Sequence, residues 1–287
     1  MKKCVVVIPI YKVNPTKSEC ASFKQVLTVL GQHNIVLLTY TELDLSVYEE
    51  LSEVVGKKYN IEYFDLGYFR SLADYNRLCY SLEFYNRFLN YEYMLIYQLD
   101  AWVFRDELMY WCDKGYDYIG APMFLEPYKI RTCVVGNGGF SLRRISYCIK
   151  LLNRNRFIPY LKPFFIFKKY YISYLLRKMS VREMVMFIPL CLFKSLGIRN
   201  TPNYYINSCR VNEDAFFSVY AKNAWGVKAN IPTAREAAFF SFEVYPTVLY
   251  NYIGEKIPFG CHAFEKCDYL FFWSKYIALP IGGINLN

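Results

Sequence analysis

The chain has 287 residues, of which 54% are hydrophobic and 20% aromatic. A composition this apolar excludes an intrinsically disordered protein, and the length allows one large domain or two small ones. The formal net charge of +9 favours anionic partners, such as phosphate groups, nucleic acid or anionic lipid.

The first half of the chain predicts an α/β sheet with parallel strands. Helical patterns at residues 18–31 and 71–91 alternate with apolar runs, and Ser71 resembles a helix N-cap. The continuous apolar runs at residues 4–10 and 34–40 are typical of strands covered on both faces, and residues 59–66 and 93–99 are further candidate strands. Strand–helix alternation of this kind favours a parallel sheet.

A carboxylate interrupts the apolar sequence at the end of the fourth strand. Asp100 follows Leu99, and the apolar run resumes at Ala101. Because ligands bind beyond the carboxyl ends of parallel strands, Asp100 is a candidate ligand-binding residue. The alternative interpretation is an acid that caps the following turn.

Two later motifs also combine a structural and a functional interpretation. Asn137, Gly138 and Gly139 predict a tight turn, whose amides could approach a phosphate or a sugar, or which could simply be a hairpin. Glu213 and Asp214 follow a predicted N-cap at Asn212, where acids suit the helix dipole but could also include a general base.

The last motif contains His262, one of only two histidines in the chain. A lone histidine among apolar neighbours is more often structural than a metal ligand. An imidazole can nevertheless complete a site for Mn²⁺ or a similar ion beside carboxylate oxygens.

In chain order, a strand-end Asp, a Gly-Gly loop, an acidic pair at a helix start and a late His resemble the GT-A glycosyltransferases. The known pattern most similar to it is that of the β-1,4-galactosyltransferases. The sequence motifs are more similar still to those of a bacterial family of glycosyltransferase-like proteins. They read "QLDAWVF…YDYIGAP…VGNGGFSLR…NEDAFF…PFGCHAF". This likeness covers roughly residues 4–150 and 205–265.

The resemblance implies a fold class and an organisation. The expected fold is α/β, of the GT-A (Rossmann-like) type, with a mixed, mostly parallel central sheet flanked by helices. Residues 1–287 would form a single catalytic domain. A helical insertion rich in basic and aromatic residues is expected within it at 150–205.

The resemblance also implies roles for individual residues. Asp214 is assigned as the catalytic base and Glu213 as an acceptor-binding residue, with the reverse assignment left open. Asp100 and His262 match the metal ligands. The residues expected at the donor nucleotide-sugar are Pro9, Ile10, Tyr11, Lys12, Arg77, Asp100, Asn137, Gly138 and Gly139.

One departure from the family pattern concerns the metal. Reading the DxD motif as Asp100-Ala101-Trp102 leaves its second acid missing. A divalent cation, Mn²⁺ or Mg²⁺, is still expected, with weaker dependence than in enzymes that have both acids. The alternative is a cationic clamp on the diphosphate, formed by side chains such as Lys12, Arg77 or Arg143.

The sequence also predicts a location. Residues 150–205 interleave basic with aromatic side chains, which favours an anionic membrane surface over nucleic acid, although a packed insertion with a solvated basic face is the alternative. Ten cysteines without a CxxC pair favour reduced thiols, and no apolar run is long enough to span a bilayer. A cytoplasmic protein on the inner face of the cell membrane is therefore expected.

The resulting functional hypothesis is a nucleotide-sugar-dependent glycosyltransferase with inverting chemistry, for which the resemblance favours a UDP-sugar. Its acceptor would be a glycan or a lipid-linked sugar in surface polysaccharide biosynthesis. A nucleotidyltransferase would need a glycine-rich loop after the first strand, where "PIYKVNPTKSE" has no glycine. A non-catalytic glycan- or lipid-binding module would not need Asp100 or Asp214.

Overall fold

The structure is a computed structural model that describes residues 1–153, 201–208, 211–221 and 227–279. The insertion predicted at 150–205 therefore lies largely outside the described residues.

A six-stranded sheet in the order β3-β2-β1-β4-β9-β6 forms the centre of the fold. Strands β3, β2, β1 and β4 are parallel to one another, and β9 runs antiparallel to both β4 and β6. The strands are β1 Lys2–Pro9, β2 Asn34–Thr39, β3 Asn60–Tyr63, β4 Tyr91–Tyr97, β6 Tyr118–Ile119 and β9 Phe140–Arg144. This mixed, mostly parallel sheet confirms the predicted GT-A-type fold class.

The continuous apolar runs of the sequence arise because both faces of the sheet are covered. Along β1, Val6 and Ile8 belong to one apolar layer, whereas Val5 and Val7 belong to the layer on the other face. All four side chains are fully buried. A strand buried on both faces loses the polar–apolar alternation of a half-exposed strand.

Helices cover the sheet, and the predicted cap Ser71 accepts a hydrogen bond from the Asp74 amide at the start of its helix. Thr16 forms a capping box with Glu19 at the start of the first helix. The single helix predicted over 71–91 is wrong, because Ser81 caps a new helix by accepting a hydrogen bond from the Phe84 amide. The helices of this half are α1 Lys17–Leu30, α2 Ser46–Val55, α3 Leu72–Cys79, α4 Leu82–Asn86, α5 Leu108–Asp113 and α6 Ile145–Leu152.

The second half adds a three-stranded sheet and further short helices. The small sheet has the order β10-β11-β5, with β10 parallel and β5 antiparallel to β11. Its strands are β5 Trp102–Val103, β10 Ser241–Phe242 and β11 Gly260–Cys261, and a hairpin pairs β7 Pro122–Met123 with β8 Val134–Val135. The helices are α7 Pro202–Ser208, α8 Glu213–Ala215, α9 Ala234–Phe240 and α10 Pro246–Tyr252.

The described cysteines are all free thiols. Within the described ranges, every helix is too short or too polar to cross a bilayer.

Candidate functional site

The carboxyl edge of the central sheet brings the predicted loops together. Strands β1 and β4 are parallel neighbours, so the segments that follow Pro9 and Tyr97 leave the sheet at the same edge. Strand β9 is antiparallel and therefore begins at this edge. The Gln98 amide donates a hydrogen bond of 2.8 Å to the Gly139 carbonyl, which joins the Gly-Gly loop to the segment that carries Asp100.

The small sheet places His262 between two carboxylates. His262 follows β11, Glu243 follows the parallel strand β10, and Asp100 precedes the antiparallel strand β5. The His262 Nε2 atom lies 3.1 Å from Asp100 Oδ1, and its Nδ1 atom lies 3.1 Å from Glu243 Oε2. The three side chains are mostly buried, so these charges interact in a partly desolvated setting.

Charge and burial shift the pKa values of Asp100 and His262 in opposite directions. Burial alone would raise the pKa of Asp100, but the hydrogen bond and charge of His262, with the charge of Lys266, lower it to about 2. Burial alone would lower the pKa of His262, but Asp100 and Glu243 raise it to about 10. Without a metal ion, the neutral-pH state is therefore an imidazolium between two carboxylates.

The donor atoms around His262 fit a divalent cation when a neighbouring amide is included. Among the described residues, no group of three or more His, Cys, Asp or Glu side chains could hold a metal. However, Nε2 also lies 3.2 Å from Gln98 Oε1. Separations near 3 Å are those of neighbouring ligands about 2.1 Å from one octahedral ion. Asp100, His262 and Gln98 are thus the side chains that would hold an ion here, with diphosphate oxygens completing the shell.

This geometry gives a different register for the acidic motif. Gln98, Leu99 and Asp100 form the tripeptide at the strand end, so Asp100 takes the second position and Gln98 replaces the first acid. In the register that begins at Asp100, the third residue is Trp102, which lies in strand β5 and is 8% exposed. That indole is buried in the small sheet and does not take the place of an acid. The sequence shows these residues in order, but it does not show which three of them correspond to the DxD motif.

Glu213 and Asp214 have different environments although they are neighbours. The Glu213 carboxylate is paired through both oxygens with Arg143, at 2.9 and 2.8 Å, and the side chains of both residues are almost wholly buried. Burial raises the pKa of Glu213, whereas the Arg143 guanidinium lowers it. Both oxygens of this carboxylate are therefore engaged in the core, and the fully buried Arg143 side chain is not exposed to a ligand as the cationic clamp would need.

The predicted cap at Asn212 acts differently from expectation. Its side chain makes no cap hydrogen bond, and the Glu213 amide instead donates to Asn76 Oδ1 at 3.1 Å. Asn76 lies on α3, 137 residues earlier in the chain, so a helix distant in sequence fixes the start of this segment. Helix α8 itself has three residues and continues into a π-helical turn, Phe216–Tyr220.

Asp214 differs from Glu213 in its hydrogen bonds and exposure. Its Oδ1 accepts a hydrogen bond from the Ala215 amide, and its Oδ2 has no hydrogen bond to any residue in the described part of the chain. Burial raises its pKa, opposed by that amide and by the charge of Arg143, and the charge of Glu243 raises it further. A partly exposed carboxylate with a raised pKa is typical of catalytic acids and bases.

The glycines of the loop are required by close contacts. A Cβ atom on Gly139 would lie 2.0 Å from His262 Nε2, and one on Gly138 would lie 2.5 Å from Glu213 Oε1. Asn137 adopts a left-handed conformation with φ of 61°. The loop therefore packs its backbone directly between the His262 group and the Glu213–Asp214 pair.

A cleft of about 500 Å³ opens beside Asp100. Four residues predicted at the donor line it, namely Pro9, Tyr11, Lys12 and Asp100. The Lys12 ammonium is engaged by Glu19 at 2.6 Å. Two cations that the sequence did not single out, Arg70 and Lys266, also line the cleft, and Lys266 Nζ lies 3.6 Å from Asp100 Oδ2.

Five predicted donor residues lie outside the lining of this cleft, namely Ile10, Arg77 and the loop residues Asn137, Gly138 and Gly139. The Ile10 side chain is fully buried in the core, so it could offer a ligand only its backbone. Arg77 pairs with Asp74 at 2.9 Å and donates to the Gly67 carbonyl. A second depression, of similar volume and lined by Arg105, Lys114 and Arg235 among others, contains no predicted site residue.

Sequence analysis missed four residues of the site: Gln98, Arg70, Glu243 and Lys266. The first could have been found by shifting the acidic motif by two residues. Glu243 follows a strand of only two residues, and nothing in the sequence pairs that strand with the one before His262. Lys266 lies four residues after His262 and belongs to no motif.

These features define a GT-A-like α/β protein with a polar cleft at the carboxyl edge of its sheet. The chain belongs to the family DUF5672, described as proteins of unknown function, whose family model matches residues 58–262. No curated protein matches the sequence.

Several solved glycosyltransferases have a similar architecture. Mouse xyloside xylosyltransferase 1, in its apo form, is 10% identical with a TM-score of 0.46, over 91% of this chain and 97% of that chain. The galactosyltransferase LgtC, solved with donor and acceptor sugar analogues, is 14% identical with a TM-score of 0.43, over 90% and 86%. Core-mannan synthase A from Aspergillus fumigatus, in a Mn/GDP form, is 8% identical with a TM-score of 0.40, over 75% and 71%. Likeness at this level describes general architecture and assigns no substrate.

Proposed function

We propose that the protein is a glycosyltransferase that moves a sugar from a nucleotide-sugar donor to a glycan or lipid-linked acceptor, with inversion. The observation that carries the proposal is the meeting of Asp100, His262, the Gly138-Gly139 loop and Asp214 at one edge of the sheet. These groups come from four separate segments, and each has chemistry that the reaction needs.

The donor would bind in the cleft beside Asp100. Tyr11, which is 54% exposed, offers an aromatic face to a base. Arg70 and Lys266, which line the cleft, supply positive charge for the diphosphate. A divalent cation held by Asp100, His262 and Gln98 would add Lewis-acid stabilisation of the leaving diphosphate.

The acceptor would bind on the side of the loop where Asp214 lies. In an inverting transfer, the acceptor oxygen forms a bond to the anomeric carbon while the bond to the diphosphate breaks. Asp214 takes the proton of the acceptor hydroxyl, and the bonding electrons leave with the diphosphate. Glu213 and Arg143 hold the backbone that carries Asp214.

The first test of this function is a donor screen with an Asp100 variant. Purified protein is incubated with UDP-, GDP- and CMP-sugars, with and without Mn²⁺, and hydrolysis and thermal shift are measured. We expect UDP-sugars to stabilise the wild type and Asp100→Ala to lose about 10²-fold or more of turnover, because it removes a group that stabilises the leaving diphosphate. Asp44→Ala, which removes an exposed acid outside the cleft lining, is the matched control.

Two outcomes would count against the proposal. Near wild-type turnover in a folded Asp100→Ala protein would remove Asp100 from the donor site. Binding of a glycan or lipid without turnover of any donor would favour the non-catalytic binding module instead. Full activity in excess EDTA would remove only the metal ion, leaving Arg70 and Lys266 as the charges on the diphosphate.

We further propose that the protein works at the inner face of the cell membrane, on surface polysaccharide. The support is the sequence of residues 154–200, where basic and aromatic side chains alternate. Full-length protein should sediment with anionic but not neutral vesicles at low salt, and changing Lys168, Lys169, Arg177 and Lys178 to Glu should reduce this at least tenfold, since each basic residue near the surface adds about 1 kcal/mol. Equal sedimentation with both vesicle types would contradict it.

A further inference from the structure

We infer that Glu243 is a positioning residue for His262. It holds the Nδ1–H group of the imidazole, so that Nε2 is directed at Asp100 and Gln98. The inference rests on the proposed function only for the task of Nε2, which is to bind a metal ion. The position of the ring itself can be tested without any substrate.

The small sheet fixes Glu243 beside His262. Strands β10 and β11 are parallel, with Ser241 opposite Gly260 and Phe242 opposite Cys261. The next residue on each strand is therefore Glu243 and His262, and the His262 amide donates to the Phe242 carbonyl at 2.9 Å. The pairing of two neighbouring backbones thus sets the distance between the side chains before either rotamer is chosen.

The facing atoms depend on each other. His262 Nδ1 and Glu243 Oε2 are 3.1 Å apart, and the side chains are 14% and 16% exposed. Both atoms are buried, and beyond this ion-pair contact neither makes a hydrogen bond to a described residue. Burying both without this contact would leave a donor and a charged acceptor unpaired, which is costly.

The other side of the ring leaves it little room to turn. Gly139 lies so close to Nε2 that a Cβ there would be 2.0 Å from it. A ring flip about the Cβ–Cγ bond would exchange Nδ1 with Cδ2 and Nε2 with Cε1, and would therefore direct carbon atoms at Glu243 and Asp100. Glu243 opposes this flip, because only the observed orientation presents an N–H to its carboxylate.

This arrangement determines which of its two protons the imidazolium loses when a metal ion binds. A histidine whose Nδ1 carries the proton has its lone pair on Nε2, and a carboxylate on Nδ1 also makes Nε2 a stronger donor to a metal ion. Without Glu243, the other tautomer could form and donate Nε2–H to Asp100 or Gln98. That tautomer has no lone pair to offer an ion at this position.

The first experiment is NMR of protein labelled with ¹⁵N-histidine. The chain has only two histidines, so His33→Gln leaves His262 as the single ring signal. We expect a slowly exchanging, downfield Nδ1–H resonance in the wild type, its loss in Glu243→Ala, and its retention in Glu243→Gln, whose amide oxygen can still accept. Glu255→Ala, which removes an exposed acid, is the matched control.

The second experiment measures Mn²⁺ binding by EPR of the free ion. Loss of an outer-shell partner of this kind typically weakens metal binding 10- to 100-fold, so we expect this range for Glu243→Ala and a smaller loss for Glu243→Gln. An unchanged Nδ1–H resonance in Glu243→Ala would overturn the inference. If the wild type binds no Mn²⁺, the metal part of the proposed function fails, while the NMR comparison still decides the role of Glu243. Glu243→Gln keeps the side-chain volume, so it serves both tests if the alanine variant does not fold.

Discussion

Replacing Arg143 with alanine is expected to lower the free energy of unfolding by about 3–5 kcal/mol. Arg143 is 0% and Glu213 3% exposed, and the two form a bidentate pair in the core. Removing the guanidinium leaves the Glu213 carboxylate as a buried charge without its partner. It also removes a contact between the guanidinium and the Tyr118 ring, whose centroid is 5.4 Å away.

Urea denaturation of Arg143→Ala and of two matched variants would measure this effect. Arg77→Ala removes an exposed arginine paired with Asp74 and should cost less than about 1 kcal/mol. The double variant Arg143→Met with Glu213→Leu should regain much of the loss, because apolar residues can replace a buried ion pair. A loss below about 1 kcal/mol in Arg143→Ala would mean that Glu213 finds water or another partner.

The Arg143–Glu213 pair should also affect activity, because it lies next to Asp214. Glu213 precedes Asp214 in the chain and contacts the Gly138 backbone region that faces it. Shifting this pair would move Asp214 relative to the acceptor. We therefore interpret Arg143 as part of the scaffold that holds the base, in contrast to its predicted place on the diphosphate.

The parts of the fold that follow from local pattern could be predicted from the sequence. Apolar runs with no alternation identified β1, β2 and β4, because both faces of this sheet are buried. The end of β4 at Tyr97 then placed Asp100 at the ligand-binding edge. The turn containing Gly138 and Gly139 was visible because few other residues fit so close a contact.

The parts that depend on pairing between distant segments could not be predicted. Arg143 appeared to be a free cation, because no local sequence pattern indicates that it pairs with Glu213, 70 residues later in the chain. The role of Glu243 depends on two strands of two residues each, which carry too little pattern to be recognised. The break at Ser81 was missed because its apolar spacing continues the preceding helix.

The Asp214→Asn variant is expected to lose about 10²- to 10⁴-fold of turnover while remaining folded, since this is the usual contribution of a general base. Asparagine preserves the shape of the side chain and can still accept from the Ala215 amide. It cannot take up the acceptor proton. Glu213→Gln is the matched comparison, because it alters the neighbouring carboxylate and should affect stability more than chemistry.

The raised pKa of Asp214 determines the direction in which activity and stability should change with pH. Burial raises the pKa of Asp214, so the ionised form that a base needs is lost as the pH falls through a value above the ordinary 3.8. The acid limb of kcat/KM should therefore lie above that value and should vanish from the residual activity of Asp214→Asn. For stability the sign is opposite to that of a salt-bridged acid. A raised pKa means that ionisation is disfavoured in the folded state, so Asp214 is least destabilising below pH 3.8 and costs stability above its raised pKa.

Asp214→Asn should accordingly be at least as stable as the wild type at neutral pH, and the difference should shrink as the pH falls. Thermal unfolding from pH 4 to 8, beside the pH profile of turnover, would measure both effects on the same samples. A dipole partner at a helix start would behave in the reverse way, losing up to about 1 kcal/mol of stability and almost no turnover. Unchanged turnover in Asp214→Asn would therefore transfer the role of the base to another carboxylate. Glu265 would then be tested, because it lines the cleft and burial raises the pKa of its carboxyl, whereas Glu213 is held by Arg143 and Glu243 by His262.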